Sequence, residues 1–323
     1  RKKDLLGKAQ EYQKYFRFAE RNAEIYMTWD YMDVYVATSM RERWEFEGCY
    51  DFVQKIFRHN ALASLNLRYF DPTQCVTKSR VDKGLLESLM LKRANCTIYL
   101  AQEAETLGKD SELAATLAQG KPVIVYVPKE NANDYYKKTK GYPLEFFRKR
   151  LLQLDAEGFF LEHGIQQDLR KLLGHKDVEN ILIKVFKLLD DYASACKYNL
   201  FESKEQLKIR ASNRKIIDRM KRLLAFAESK SFERKAISLR EKHPLAIQVN
   251  LSSGVANGVL VVRSVADCAE LLSRLLLNSL EFKIEHNKEE GVAMLVEEIS
   301  RCPYRVVTDN IKLTNSFWNF YLT

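Results

Sequence analysis

No apolar run in this chain approaches the ~20 residues needed to cross a bilayer, and its first residues, Arg1-Lys2-Lys3-Asp4, open no apolar signal region. Both absences lead to the expectation of a soluble, cytoplasmic chain without a membrane partner. The lack of an initiator methionine implies residues ahead of Arg1. Cys49, Cys75, Cys96, Cys196, Cys268 and Cys302 lie far apart, with no Cys-x-x-Cys and no histidine at ligand spacing. That excludes a zinc ribbon or a disulfide framework and leaves reduced thiols, several of them buried. His59, His163 and His175 stand beside Asn or Gly near expected helix ends, where capping or surface roles outweigh catalysis. The glycine pattern of a dinucleotide fold, the His-Glu-x-x-His helix and the Gly-x-Ser-x-Gly elbow are also missing. Gly108-Lys109-Asp110-Ser111 lacks both the upstream glycine of a phosphate loop and the Ser or Thr that directly follows its lysine. Hydride transfer, zinc hydrolysis, serine hydrolysis and P-loop chemistry therefore drop out. There is no internal repeat and no low-complexity tract.

What the chain does have is material for a core. It has 323 residues, 46% of them hydrophobic and 11% aromatic, enough for one large or two ordinary domains. Its net charge of +9 is local: residues 203–242 hold 13 Lys or Arg against 5 Asp or Glu. Such a stretch reads either as a face for nucleic acid or an acidic partner, or as a solvated helix surface. The second reading has the greater weight, because Arg214, Arg219 and Arg222 alternate with core-type Ile216, Ile217, Leu223 and Leu224.

Periodicity predicts an amphipathic helix over 4–26, packed on the domain or on a partner, and then a strand at Asp33 to Thr38. A helix carrying Trp44, Val53, Ile56 and Phe57, a strand at Leu67 to Phe70, and a helix over 82–93 follow. A strand at Thr97 to Ala101, a helix over 111–119 capped by Asp110 or Ser111 and closed by a left-handed Gly120, and a buried strand at Pro122 to Val127 complete the series. Alternating strands and helices of this kind predict an α/β fold, a doubly wound, flavodoxin-like parallel sheet. A helical segment over 141–242 and a small α+β C-terminal module over 243–323 are expected after it. In that module the pattern gives strands at 245–251, 258–262, 281–286 and 304–308, a turn from Gly254 to Gly258, and helices over 265–280 and 289–299. The domain boundaries expected are thus 1–27, 28–140, 141–242 and 243–323. Near the C-terminus, Phe317, Trp318, Phe320 and Tyr321 crowd four aromatics into five positions, either as a core strand or as a docking surface for a partner or a second copy.

The residue of most chemical interest is Glu112. A loop leaving the strand at Thr97 to Ala101 delivers its side chains to the crevice outside the strand ends, and on the expected boundaries Glu112 falls in the first turn of the next helix, opposite Thr38-Ser39-Met40-Arg41. There the helix dipole lowers a carboxyl pKa, so the expectation is an ionised group suited to attack or to stabilising positive charge, and not a proton donor. A first-turn Glu favoured only for helix stability is the alternative.

The stretch Ile98 to Pro128, with Gly108, Glu112-Leu113, Ala115 or Ala118, and Gly120-Lys121-Pro122-Val123, resembles the signature of nucleoside 2-deoxyribosyltransferases and, more loosely, of TIR-type NAD glycohydrolases. The resemblance covers 33–128. It implies cleavage of an N-glycosidic bond with Glu112 as the catalytic glutamate and Tyr35, in Val34-Tyr35-Val36-Ala37, as the tyrosine that orients it. It places Thr38, Ser39 and Arg41 on the sugar or phosphate side and Asp71, in Tyr69-Phe70-Asp71-Pro72, on a substrate-side loop; Ser111 is a further substrate-binding candidate. Transferases of that family carry an acid early in the helix before the third strand, where this chain has Ser88, with Glu87 adjacent and Asp82 a turn and a half earlier. Nicotinamide leaves NAD as a neutral molecule and needs no such acid, so a lone glutamate fits NAD as substrate, with no cofactor. The appended parts imply regulation, as in bacterial immune effectors that deplete NAD, through a homo-oligomer or a regulatory protein partner. A nucleoside deoxyribosyltransferase or nucleotide N-glycosidase, with Glu87 or Asp82 as acid, is the first alternative; a non-catalytic module that senses a nucleotide or binds a partner is the second.

Overall fold

The computed structural model describes residues 2–103, 106–172, 178–196, 202–242, 247–250, 255–289 and 291–308. These fall into two units, Arg1–Pro128 with Lys235–Thr323, and Lys129–Arg234. The first begins with α1 (Lys2–Thr28), β1 (Met32–Ala37), α2 (Arg43–Phe57) and β2 (Tyr69–Phe70), then a one-turn helix at Pro72–Gln74. It continues through α3 (Arg80–Arg93), β3 (Ala94–Leu100), α4 (Leu107–Ala118) and β4 (Val123–Tyr126). The second unit is helical: α5 (Ala132–Thr139), α6 (Leu144–Ala156), α7 (His163–Leu172), α8 (Val178–Ser194), α9 (Lys204–Ser212) and most of α10 (Arg214–Ile237). The chain then returns to the first unit with β5 (Ile247–Asn250), β6 (Val255–Gly258), β7 (Leu260–Val262), α11 (Val265–Leu276), β8 (Phe282–Asn287), β9 (Val292–Glu297) and β10 (Pro303–Thr308).

The strands form two sheets. One is five-stranded and all parallel, in the order β2-β1-β3-β4-β7. Its strands read as near-continuous apolar runs because both faces are covered: Val34, Val36, Ile98, Ile124, Val125, Leu260 and Val261 are all buried. Helix α3 packs on α4, and α11 on α2 and β4, so the first pair covers one face of the sheet and the second pair the other. The α/β expectation with a parallel sheet therefore stands. The other sheet is antiparallel, β5-β6-β10-β9-β8.

Three expectations need correction. Val259 to Val262 belongs not to a separate C-terminal module but to the parallel sheet, where β7 pairs with β4, and α11 covers that same sheet. Hydropathy shows that such a run is a buried strand, and does not show which sheet receives it. The helical unit is accordingly inserted between β4 and β7, and it already includes α5. Within the turn expected from Gly254 to Gly258, Val255–Gly258 is instead β6, paired on both sides, and within the helix expected over 289–299, Val292–Glu297 is β9, paired with β8 and β10. Ala, Met, Leu and Glu in Val292–Glu297 favour a helix locally, but two flanking ladders outweigh that preference. The aromatic run at 317–321 and His175 lie outside the described residues. Among the described residues no helix is long and apolar enough to cross a membrane.

Candidate active site

In the order β2-β1-β3 the sheet grows one way from β1 to β2 and the other way from β1 to β3, so the loops that follow β1 and β3 part above the strand ends. That switch point is where open α/β sheets bind ligands. Gln102, just after β3, ties the two loops together. Its Oε1 accepts from the Ser39 backbone N–H at 2.7 Å and the Thr38 hydroxyl at 3.1 Å, while its Nε2 donates to the Ser39 carbonyl at 2.9 Å. Ser39 and Gln102 are both buried.

Tyr35 lies on β1 with its ring stacked on Phe70 of β2, centroids 5.2 Å apart. The residue is 1% exposed, and its hydroxyl donates to Glu112 Oε1 at 2.9 Å. Helix α4 holds Glu112 in place through Thr116, one turn on, whose hydroxyl bonds that of Thr97 on β3 at 2.8 Å. Gly120, at φ +71°, ends the helix as expected. The start of the helix is not as expected. Thr106, not Asp110 or Ser111, is the cap, and α4 begins at Leu107, so Glu112 sits in the second turn.

This shift removes the dipole argument. Burial pushes the Glu112 carboxyl up to about 7, against the smaller lowering effect of the Tyr35 hydrogen bond, and the charge of Glu87 raises it further while Lys83 and Lys109 oppose. The expectation of a fully ionised group that donates no proton is corrected: near neutral pH Glu112 divides between its two forms. Desolvation wins because the dipole field fades beyond the first turn. Tyr35 is likewise driven well above its ordinary value by burial, then by the Glu112 and Glu87 charges. Glu87, half-buried and 3.5 Å from Lys83 across one turn of α3, is raised by its own burial, with Lys83 opposing.

Of the residues singled out from sequence, Tyr35, Glu112 and Glu87 come together here. Thr38 and Ser39 form the wall built around Gln102. Arg41 is exposed, and its backbone N–H, with that of Glu42, donates to Glu45 Oε2. Asp71 is buried, caps the one-turn helix and accepts from the Thr73 N–H and hydroxyl at 2.9 and 2.6 Å. Asp82 is exposed and joins Ser79 in capping α3. Ser111 is exposed on α4 and donates back to the Leu107 carbonyl.

Two contributors were missed. Gln102 had no motif to announce it. Lys109 had one, since it stands three residues before Glu112 and so shares its helix face once α4 starts at Leu107. It is 2% exposed, donates to the Leu100 carbonyl at 3.0 Å and lies 4.7 Å from the Tyr99 ring centroid. Among the described residues no cluster of His, Cys, Asp and Glu could hold a metal ion. Comparisons with protein-family models, with curated proteins and with solved structures find no match.

Proposed function

We propose that this chain cleaves an N-glycosidic bond on a flavodoxin-like sheet, with Glu112 as the catalytic carboxylate and NAD as the substrate. The reading rests on one observation: a half-buried carboxylate at the sheet's switch point, held by a buried tyrosine and near a second carboxylate. At this site the charges of Lys83 and Lys109 do not offset burial and the Glu87 charge. A bound nicotinamide cation, and then the oxocarbenium-like carbon left when its bond to ribose breaks, would supply further positive charge and draw Glu112 into its ionised form. Nicotinamide departs with the bonding electron pair, water adds to the anomeric carbon of ADP-ribose, and one proton is released. Tyr35 fixes the carboxylate's direction, and the clamp of Thr38, Ser39 and Gln102 sets the loop beside it.

A second reading has its own observation. Glu87 lies close enough to raise Glu112, so the site holds two carboxylates rather than one. That fits the acid-plus-nucleophile logic of nucleoside cleavage, in which a poor leaving base needs a proton. Incubating the protein with NAD and, separately, with a deoxynucleoside and a free base separates the two. Release of nicotinamide that Glu112→Gln abolishes supports the first reading. Base exchange lost in both Glu112→Gln and Glu87→Gln supports the second. NAD consumption equal in wild type and Glu112→Gln would overturn the assignment.

A further inference from the structure

The helical unit contains a cavity of about 360 Å³ within the range of small-molecule sites. Helices α9 and α10 and the end of α5 surround it. Lys140, Arg210, Arg214 and Lys221 supply four cations, Asp218 the one carboxylate, and Tyr142, Leu144 and Ile217 a less polar wall.

The charges do not cancel within the cavity. Asp218 is already engaged from its own helix and from α5: Arg222 donates to it at 3.0 Å and the Tyr136 hydroxyl bonds its other oxygen, while the Arg222 guanidinium lies over the Tyr136 ring. Those contacts hold its carboxyl below the ordinary range. Arg210 pairs with Glu202 at 2.9 Å, outside the cavity lining. Lys140 and Arg214 are exposed and make no ion pair among the described residues. Lys221 is fixed in the wall, its ammonium donating to the Lys140 carbonyl and standing 5.2 Å from the Phe147 ring centroid. Partial burial, then the Arg210 charge, lowers the Lys221 pKa, with the Asp218 charge opposing.

We propose that this cavity binds a small phosphate-bearing ligand with a planar ring, a nucleotide, with Lys140, Arg214 and Lys221 receiving the phosphates and Tyr142, Leu144 and Ile217 facing the ring. The inference is independent of Glu112, which lies in the other unit. Calorimetric titration of the full chain with ADP, inorganic pyrophosphate and adenosine tests it. ADP should bind saturably, pyrophosphate more weakly and adenosine least, with affinity falling as salt is raised. Lys140→Glu and Arg214→Glu, both at exposed positions and with folding checked by circular dichroism, should each weaken ADP at least about tenfold, the value of one charge-assisted hydrogen bond. Glu112→Gln should leave pyrophosphate binding unchanged. Absence of saturable ADP binding, or equal ADP affinity in wild type and both charge-reversed variants, would overturn the proposal. Pyrophosphate binding as tight as that of ADP would overturn the role of the ring.

Discussion

Glu228 in the helical unit and Glu112 in the α/β unit are both withdrawn from solvent, wholly and in part, and are treated in opposite ways. In the helical unit Glu228 is 0% exposed and meets the buried Arg150 guanidinium at 2.7 Å, so its charge has a direct counterion. In the α/β unit Glu112 keeps some accessible surface, receives a tyrosine hydroxyl in place of a cation, and has a carboxylate neighbour. The first arrangement ties α6 to α10 through one buried ion pair. The second leaves the protonation state open near neutral pH, which is what an acid, a base or a site awaiting a cation requires. Burial alone therefore does not mark a functional carboxylate.

Removing the counterion from the helical unit should produce the largest effect. Arg150→Ala leaves Glu228 buried without its cation, and the expected loss is about 3–5 kcal/mol in denaturant unfolding. A change of under about 1 kcal/mol would mean that Glu228 is solvated and that the contrast with Glu112 is false. Glu112→Gln should act in the opposite direction. Because the folded carboxyl titrates at about 7 rather than 4.5, this group's stabilising contribution is complete below about pH 4.5 and is lost as pH rises through about 7. The variant should be more stable than wild type at pH 8, by up to about 3 kcal/mol, and equal to it at pH 4. Glu87 and Asp71, also raised by burial, would keep a residual slope of the same sign. Unfolding free energies measured across pH check this; a Gln variant less stable at pH 8 would show that the Glu112 charge is compensated after all.

Much of this contrast was legible in the chain, and the remainder was not for identifiable reasons. The strands at Val34 to Ala37, Thr97 to Leu100 and Val123 to Tyr126 announce themselves as buried apolar runs, and Gly120 marks the end of α4. Val259 to Val262 has the same signature, yet its place beside β4 depends on a partner more than 130 residues away, which no local pattern encodes. Glu112 is conspicuous in the sequence, but a cap at Asp110 or Ser111 would put it within the dipole's reach, and the cap is Thr106. Moving the helix start to Leu107 carries Glu112 out of the dipole's reach and turns Ser111 toward solvent. Gln102 escaped notice because an amide clamp between two loops requires knowing that β1 and β3 are neighbours.

Tyr35→Phe sharpens the comparison at smaller scale. It removes the hydrogen bond that lowers the Glu112 pKa, so the carboxyl should titrate still higher, with little change in packing because the ring stays on Phe70. In the proposed reaction, where Glu112 acts ionised, the rate should rise with pH through about 7 in wild type. The variant's rise should lie at higher pH, with a loss of about 2- to 10-fold below it, the rate equivalent of one hydrogen bond's ~0.5–1.5 kcal/mol. An unshifted pH profile would make Tyr35 a packing residue only.

Ser111→Ala should have the smallest effect, and it tests whether position in sequence or position in space decides function. Ser111 is Glu112's immediate neighbour, but a helix turns about 100° per residue, so the two side chains leave α4 on different sides. Its hydroxyl donates to the Leu107 carbonyl at 2.7 Å, a bond within its own helix that weakly competes with helical geometry. Its removal should change stability by no more than about 0.5 kcal/mol and leave both the rate and the pH profile at wild-type values. A large loss of activity would mean that substrate reaches the solvent side of α4, and the site would then have to be rebuilt around that face rather than around Tyr35 and the switch point.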